Sequence, residues 1–373
     1  MNVSLRQSWR RWAVLAPAAF LLIFAAPVGA ATFGELYTVS VEPNPQAQDP
    51  RTDAIRRAMG LLLTRITGRQ QAAAYPDLQD LINNAVSYLD QYAPLSSDEI
   101  RVGFRRSAVN QALTARNLPI WGDERPLTLV WIATDFGNGY RAELKASEST
   151  QRLPAGIARG EPSDPLLPDD AAFFDAIADE ILTAADERGL PIVLPRLDAE
   201  DRAIVRFADV WGGFDEFVAQ ASERYNVDAV LIARIEATDA GPRVNWTVQR
   251  GDRRDFLLTP RARMGVDWLA DEFASTFTTV GGARATWITI RDVRNWGDFA
   301  RTLEYVRSVS IVESADPESL TGDELLLRVA ARGDDALLQR YLTLDGRFIA
   351  EESFAGLVFA PAWVTRFPDL DAP

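Results

Sequence analysis

Residues 127–133 have the sequence Leu-Thr-Leu-Val-Trp-Ile-Ala, and residues 228–235 have the sequence Asp-Ala-Val-Leu-Ile-Ala-Arg-Ile. Both runs are almost continuously apolar, which is typical of strands that are buried on both faces of a sheet. Helical patterns lie between them, at 171–188 and 214–225. Since strands alternate with helices, and two further strand patterns follow within 244–258, the sequence predicts an α/β unit with a mixed sheet.

The middle segment, residues 124–280, is therefore expected to form a three-layer α/β domain. Before it, residues 32–122 show the order β-α-(α)-β-β-α, which predicts a small α+β domain. After the glycine pair at 281–282, residues 284–350 show the order β-α-β-β-α-β of a ferredoxin-like module. Residues 351–373 contain prolines and are predicted to be an irregular tail. The predicted fold class is α+β and α/β, with several small mixed-sheet domains.

The N-terminal segment, residues 1–30, has the three parts of a secretory signal peptide. Its first eleven residues carry three arginines and no acid, residues 12–26 are apolar, and residues 28–30 are small. The arginines stay on the cytoplasmic side while the apolar part enters the bilayer. We expect cleavage after Ala30, with Ala31 as the second choice.

This signal predicts export to the periplasm by the Sec route. The alternative is that the segment is kept as a membrane anchor, because it is about as long as the roughly twenty apolar residues that span a bilayer. Pro17, Pro27 and Gly29 interrupt the stretch, which favours cleavage. After cleavage we expect no stable membrane span.

The composition excludes several classes of function. The 373 residues include no His and no Cys, which excludes Ser-His-Asp and Cys-His catalysis, the usual zinc sites, iron–sulfur clusters and disulfides. The formal net charge is −14, and cleavage of the signal would remove three positive charges. Such a negative chain disfavours binding to nucleic acid. We therefore expect no cofactor, no metal site and no catalytic residue.

Two pairs of carboxylates are nevertheless candidate site residues. Asp175 and Asp179 lie one helical turn apart and could bind Ca²⁺ or Mg²⁺, although acids near a helix start are also explained by the helix dipole. Asp198 and Asp201 follow a strand end, where α/β sheets place ligands. Such a pair could act in glycoside hydrolysis, or it could cap the next helix.

Tryptophans supply the remaining candidates. Trp121 could stack on a sugar ring, as could Trp131, Trp246, Trp287 and Trp296. Most of these residues stand in apolar strands or at the starts of elements, which favours core packing.

Several stretches together resemble a known family. They are residues 36–41, 63–68, 118–133, 188–195 and 225–234. In these stretches the chain resembles an uncharacterised family of exported proteobacterial proteins, the domain of unknown function 2066. The resemblance covers most of the mature chain and implies export, but it implies no activity and no site residues. The middle segment is also similar, at the level of fold alone, to α/β domains of envelope assembly proteins.

The expected function is a non-catalytic one, in envelope assembly or in binding a protein partner in the cell envelope. Two alternatives stay open. One is a carboxylate-based hydrolase that acts on cell-envelope glycan, and the other is a carrier of a small ligand in a deep apolar pocket.

Overall fold

In the computed structural model of the protein, the described residues are 31–32, 35–95, 99–147, 160–353 and 356–363. The predicted cleavage site at Ala30 and the rest of the signal segment lie outside these residues, whereas Ala31 begins a two-residue strand. Mixed α and β structure with several small mixed sheets confirms the predicted fold class. Among the described residues, no helix combines the length and the apolar character needed to cross a membrane.

The N-terminal module is built around a small antiparallel sheet. Its elements are β1 (Ala31–Thr32), β2 (Thr38–Val41), α1 (Pro50–Thr67), α2 (Gln79–Asn83), β3 (Leu89–Pro94), β4 (Ile100–Phe104), α3 (Arg106–Thr114), β5 (Ile120–Trp121) and β6 (Glu124–Arg125). The strand order is β2-β4-β3. The long helix α1 begins after Asp49, whose side chain accepts a hydrogen bond from the Thr52 N–H, and ends at Gly68 in the left-handed conformation.

The middle module contains the largest sheet. Its elements are β7 (Thr128–Asp135), β8 (Arg141–Ala146), β9 (Gly160–Pro162), α4 (Pro168–Arg188), β10 (Ile192–Val193), α5 (Ala199–Ile204), α6 (Phe207–Gly212), α7 (Asp215–Ser222), β11 (Ala229–Thr238), β12 (Gly241–Arg250), β13 (Arg253–Thr259), α8 (Arg263–Phe277) and β14 (Thr278–Thr279). The strand order is β13-β12-β11-β7-β8-β9, with β10 beside β7. Strand β7 is parallel to β10 and β11, and the other pairings are antiparallel.

Helices cover both faces of this sheet. Because successive side chains of β7 point to opposite faces, Val130 belongs to a core cluster that includes helices α4 and α8. Trp131 belongs instead to a cluster that includes α6 and α7. Every residue of β7 except Asp135 is buried, in agreement with its continuous apolar sequence.

The C-terminal module packs two helices on one face of a five-stranded sheet. Its elements are β15 (Ala283–Ile290), α9 (Trp296–Ser308), β16 (Val312–Thr321), β17 (Glu324–Arg332), α10 (Asp335–Thr343), β18 (Phe348–Glu351) and β19 (Leu357–Pro361). The strand order is β16-β17-β15-β19-β18. Its buried side chains join those of the middle module in one continuous core.

The C-terminal end departs from the prediction of an irregular tail over 351–373. Strand β19 lies between β15 and β18 and runs parallel to β15. Val358, Phe359 and Ala360 are buried, so the driving force is the apolar run that these residues form. Pro361 stands at the last position of the strand and therefore does not interrupt the apolar run.

Candidate functional site

Asp198 and Asp201 lie close together, as the carboxylate-pair hypothesis requires. The Asp198 side chain accepts hydrogen bonds from the backbone N–H groups of Glu200 and Asp201, and thereby caps α5. One nitrogen of Arg224 lies 2.7 Å from Asp198 and 3.0 Å from Asp201. The hydrogen bond from Arg224 lowers the pKa of Asp198 to about 2. The two carboxylates thus share one cation, which offsets one of their two negative charges.

Asp201 is wholly buried and its oxygens hold the surrounding loop. It accepts a hydrogen bond of 2.6 Å from the Tyr225 hydroxyl and one of 2.8 Å from the Leu197 N–H. Leu197 adopts the left-handed conformation, with φ of 51°, which a leucine seldom adopts. The contact to Asp201 offsets that strain. Since Asp201 has no exposed surface, we interpret the pair as a structural one and not as a hydrolytic one.

Asp175 and Asp179 are exposed on the outer surface of α4. Among the described residues, no group of three or more carboxylates could hold a metal ion. Asp175 and Asp179 lie two to three turns inside α4, beyond the first turn in which the helix dipole favours acids, so we interpret them as part of its solvated face.

The tryptophan candidates divide into buried and exposed side chains. Trp121, Trp131 and Trp246 are at most 1% exposed, so they cannot stack on a ligand. Trp287 and Trp296 are exposed by 55% and 80%. Trp121, the candidate singled out from the sequence, is therefore part of the core.

Trp121 instead contacts a buried arginine, Arg125, whose guanidinium carbon lies 3.8 Å from the indole centroid. Arg125 is fully buried and burial lowers its pKa to about 9. Its nitrogens donate to five backbone carbonyls, those of Arg65, Trp121, Gly122, Arg188 and Gly189. Two helices, α1 and α4, end at this point, and a cation beside helix C-termini is stabilising.

The residues around Arg125 also contact the C-terminal module. Glu124 accepts a hydrogen bond of 2.9 Å from the Ser310 N–H, and a second one from the Ser310 hydroxyl. The Gly122 N–H donates to the hydroxyl of Tyr341, which in turn donates to the Phe277 carbonyl. Residues 121–125 thus connect all three modules. We call them the junction segment.

A family match ends within the junction segment. Residues 30–122 match the family model described as Domain of unknown function (DUF8605). The match covers the N-terminal module. The resemblance to the domain of unknown function 2066 is therefore wrong, because the family model that matches is a different one. No curated protein and no solved structure matches the chain.

An open sheet edge is the clearest candidate for a functional surface. Strand β13 stands at the end of the large sheet and pairs only with β12 in the described part of the chain. Phe256 is 73% exposed and Leu258 is 63% exposed. Both lie on the same face, because they are two residues apart in one strand. An edge strand with exposed apolar side chains is prone to pair with another chain.

The other sheet edges in the described residues are short or protected. Strands β2 and β18 have four residues, and β9 has three, of which the last is Pro162. The long edge strand β16 carries Pro317 beside Asp316 and Glu318, and β3 ends at Pro94. Proline and charge are the devices that block edge pairing. Strand β13 has seven residues and no proline, and its charged residues, Arg253, Arg254 and Asp255, are confined to its first half.

Helix α7 packs on the same side of the sheet as the exposed side chains of β13. Phe256 lies opposite Thr247, which lies opposite Ile232 in the cluster beneath α7. Phe214 and Phe217, at the start of α7, are 50% and 41% exposed. We call β13 together with these two phenylalanines the edge surface.

The sequence alone does not predict the edge surface. The pattern at 255–258 predicts a strand, but Phe256 and Leu258 then look like ordinary core residues. Alternation along the strand was the available signal. Only the neighbouring strands show that Leu257 faces the core, opposite Trp246, while Phe256 and Leu258 do not.

Proposed function

We propose that the protein is an exported, non-catalytic binding protein of the cell envelope, and that it binds a protein partner at the edge surface. The observation that supports binding is an edge strand of seven residues without proline. Its Phe256 and Leu258 side chains are exposed to solvent on one face of the sheet. Contiguous exposed apolar surface is typical of interaction sites, and Phe256 and Leu258 are neighbours on one face of the strand.

Export to the periplasm is supported by the charge and apolar pattern of residues 1–30. The test is to fractionate cells and to sequence the N-terminus of the recovered protein. We expect the periplasmic fraction to contain a chain that begins after Ala30 or Ala31. A chain in the cytosol that still begins at Met1 would overturn the location, and membrane retention would indicate the anchor.

Partner binding is tested by photocrosslinking in cells. A benzoylphenylalanine at position 256 samples the edge surface, and one at position 320 is the matched control. Leu320 is also an exposed apolar residue on an edge strand, but its strand is protected by Pro317. We expect an adduct at position 256 that mass spectrometry assigns to one protein, and none at position 320. Equal labelling at both positions, or none at 256, would contradict the proposal.

The alternatives have less support from the geometry. The hydrolase hypothesis loses its carboxylate pair because Asp201 is buried and hydrogen-bonded. A carrier needs a deep apolar pocket, whereas a cleft of about 770 Å³ beside β18 is lined by Asp335, Glu351 and Glu352 as well as by apolar groups. Neither observation favours an enzyme or a carrier over a binding protein.

A further inference from the structure

We infer that the edge surface binds an extended segment of another protein, which adds as a strand to β13 and places an acidic side chain opposite Arg254. This inference rests on the proposed function and specifies the chemistry of the partner.

The backbone of β13 provides the first part of the argument. Its hydrogen bonds within the described residues are those of the ladder with β12, so the outward N–H and C=O groups have no backbone partner. Seven residues of strand extend about 24 Å. A segment of the same length would satisfy these groups, and main-chain hydrogen bonds supply affinity when a strand adds to a sheet.

The side chains indicate which segment fits. Arg254, Phe256 and Leu258 alternate with core-facing residues and share one face. Side chains directly opposite each other on neighbouring strands interact, so a partner strand would meet these three residues in turn. Apolar side chains fit opposite Phe256 and Leu258, and an acid fits opposite Arg254.

Arg254 is the unpaired cation of this region. The nearby Arg243, Arg250 and Arg253 each form an ion pair within the chain, whereas the Arg254 guanidinium forms no ion pair or hydrogen bond with any described residue. Gln249, which lies opposite Arg254 on β12, carries no charge. A carboxylate from a partner would therefore complement the edge without competing with an existing pair.

A second copy of the chain fits this edge less well. A two-fold pairing that stacks Phe256 on its own copy places Leu258, and no acid, opposite Arg254. Each copy also has a net charge of −14, or −17 once the three arginines of the signal are removed, so that two copies repel each other.

The experiment uses synthetic peptides and the full-length mature protein. In each peptide valine alternates with threonine over seven positions, and one glutamate takes each valine position in turn, so that the acid shares a face with the remaining valines and both strand directions are sampled. A second series has lysine in place of glutamate. A third series has a central proline, which prevents strand pairing. Hydrogen exchange of residues 253–259 reports strand addition, and titration gives the affinity.

We expect the best glutamate peptide to protect the outward amides of β13 and to bind about three- to fivefold more tightly than its lysine counterpart, as for a partly exposed ion pair. The variant Arg254→Glu should reverse that preference. The control Arg243→Glu changes the net charge equally at a cation that Glu236 already pairs, and it should preserve the preference.

Three results would overturn the inference. In the first, no peptide protects the amides of β13 from exchange. In the second, the glutamate and lysine peptides protect these amides equally. In the third, the wild-type protein sediments as a dimer that the variant Phe256→Ser dissociates. If the peptides fail while the adduct at position 256 persists, the chemistry of the partner is wrong and the proposed function stands. If the adduct is absent as well, both are wrong.

Discussion

Replacing Arg125 tests whether the buried arginine holds the modules together. In Arg125→Met the five backbone carbonyls lose their donors, and each orphaned buried acceptor costs about 1–3 kcal/mol. Removing the cation also recovers several kcal/mol of desolvation penalty, roughly the size that the lowered pKa indicates. We expect a net loss of about 3 kcal/mol in the free energy of unfolding.

Arg125→Lys separates charge from geometry. An ammonium keeps the charge but has three donors for five carbonyls, and it cannot stack flat on Trp121. At least two acceptors stay unpaired, so we expect a loss of about 2 kcal/mol or more. The matched control is Arg301→Met, because Arg301 is exposed on α9 and should change stability by less than about 0.5 kcal/mol.

The assay is urea unfolding, followed by circular dichroism, of all three variants beside the wild type. Equal slopes would show that the change in midpoint is a change in stability. If Arg125→Met unfolded at the wild-type urea concentration, or at a concentration no lower than that for Arg301→Met, the hydrogen bonds from Arg125 to the five carbonyls would not stabilise the fold. The reasoning would then fail.

Three further substitutions test local packing and charge. Gly265→Ala places a methyl group against the indole of Trp246, so we expect the free energy of unfolding to fall by about 1–3 kcal/mol. An unchanged midpoint in urea would contradict this prediction. Gly122→Ala crowds a serine hydroxyl of the C-terminal module, so limited proteolysis should release fragments faster than from the wild type. The pKa of Asp198 is lowered from 3.8 to about 2, so its contact with Arg224 stabilises the fold above pH 4 and is lost as the pH falls through about 2. Asp198→Asn should therefore flatten the loss of stability between pH 4 and pH 2, and an acid-unfolding curve parallel to that of the wild type would refute this role.

The sequence was most informative about elements whose signal is local. The apolar run in β7 predicts burial on both faces, and every residue but Asp135 is buried. The helix α1 shows its boundaries through Asp49 at one end and Gly68 at the other. Capping and periodicity depend on neighbours within a few positions, so they can be recognised without the fold.

The surroundings of the candidate residues could not be predicted from the sequence, because the contacts of a side chain depend on distant parts of the chain. Asp198 and Asp201 do lie together, but the contacts that favour a structural interpretation come from Arg224 and Tyr225, more than twenty positions away. Trp121 is buried because β5 pairs with the distant strand β14 and joins the core of the middle and C-terminal modules. Spacing along the sequence contains none of these contacts.

What the sequence alone determined is the α/β class, the long helices and strands, and the absence of histidine and cysteine chemistry. What the tertiary structure decided is which cation is buried and which strand is left at an edge. Arg125 looks like a solvated residue of a polar linker until α1 and α4 bring their carbonyls to it. Phe256 looks like a core residue until the sheet ends at β13. The physical reason is that burial is set by long-range packing, whereas propensity is set by local backbone sterics.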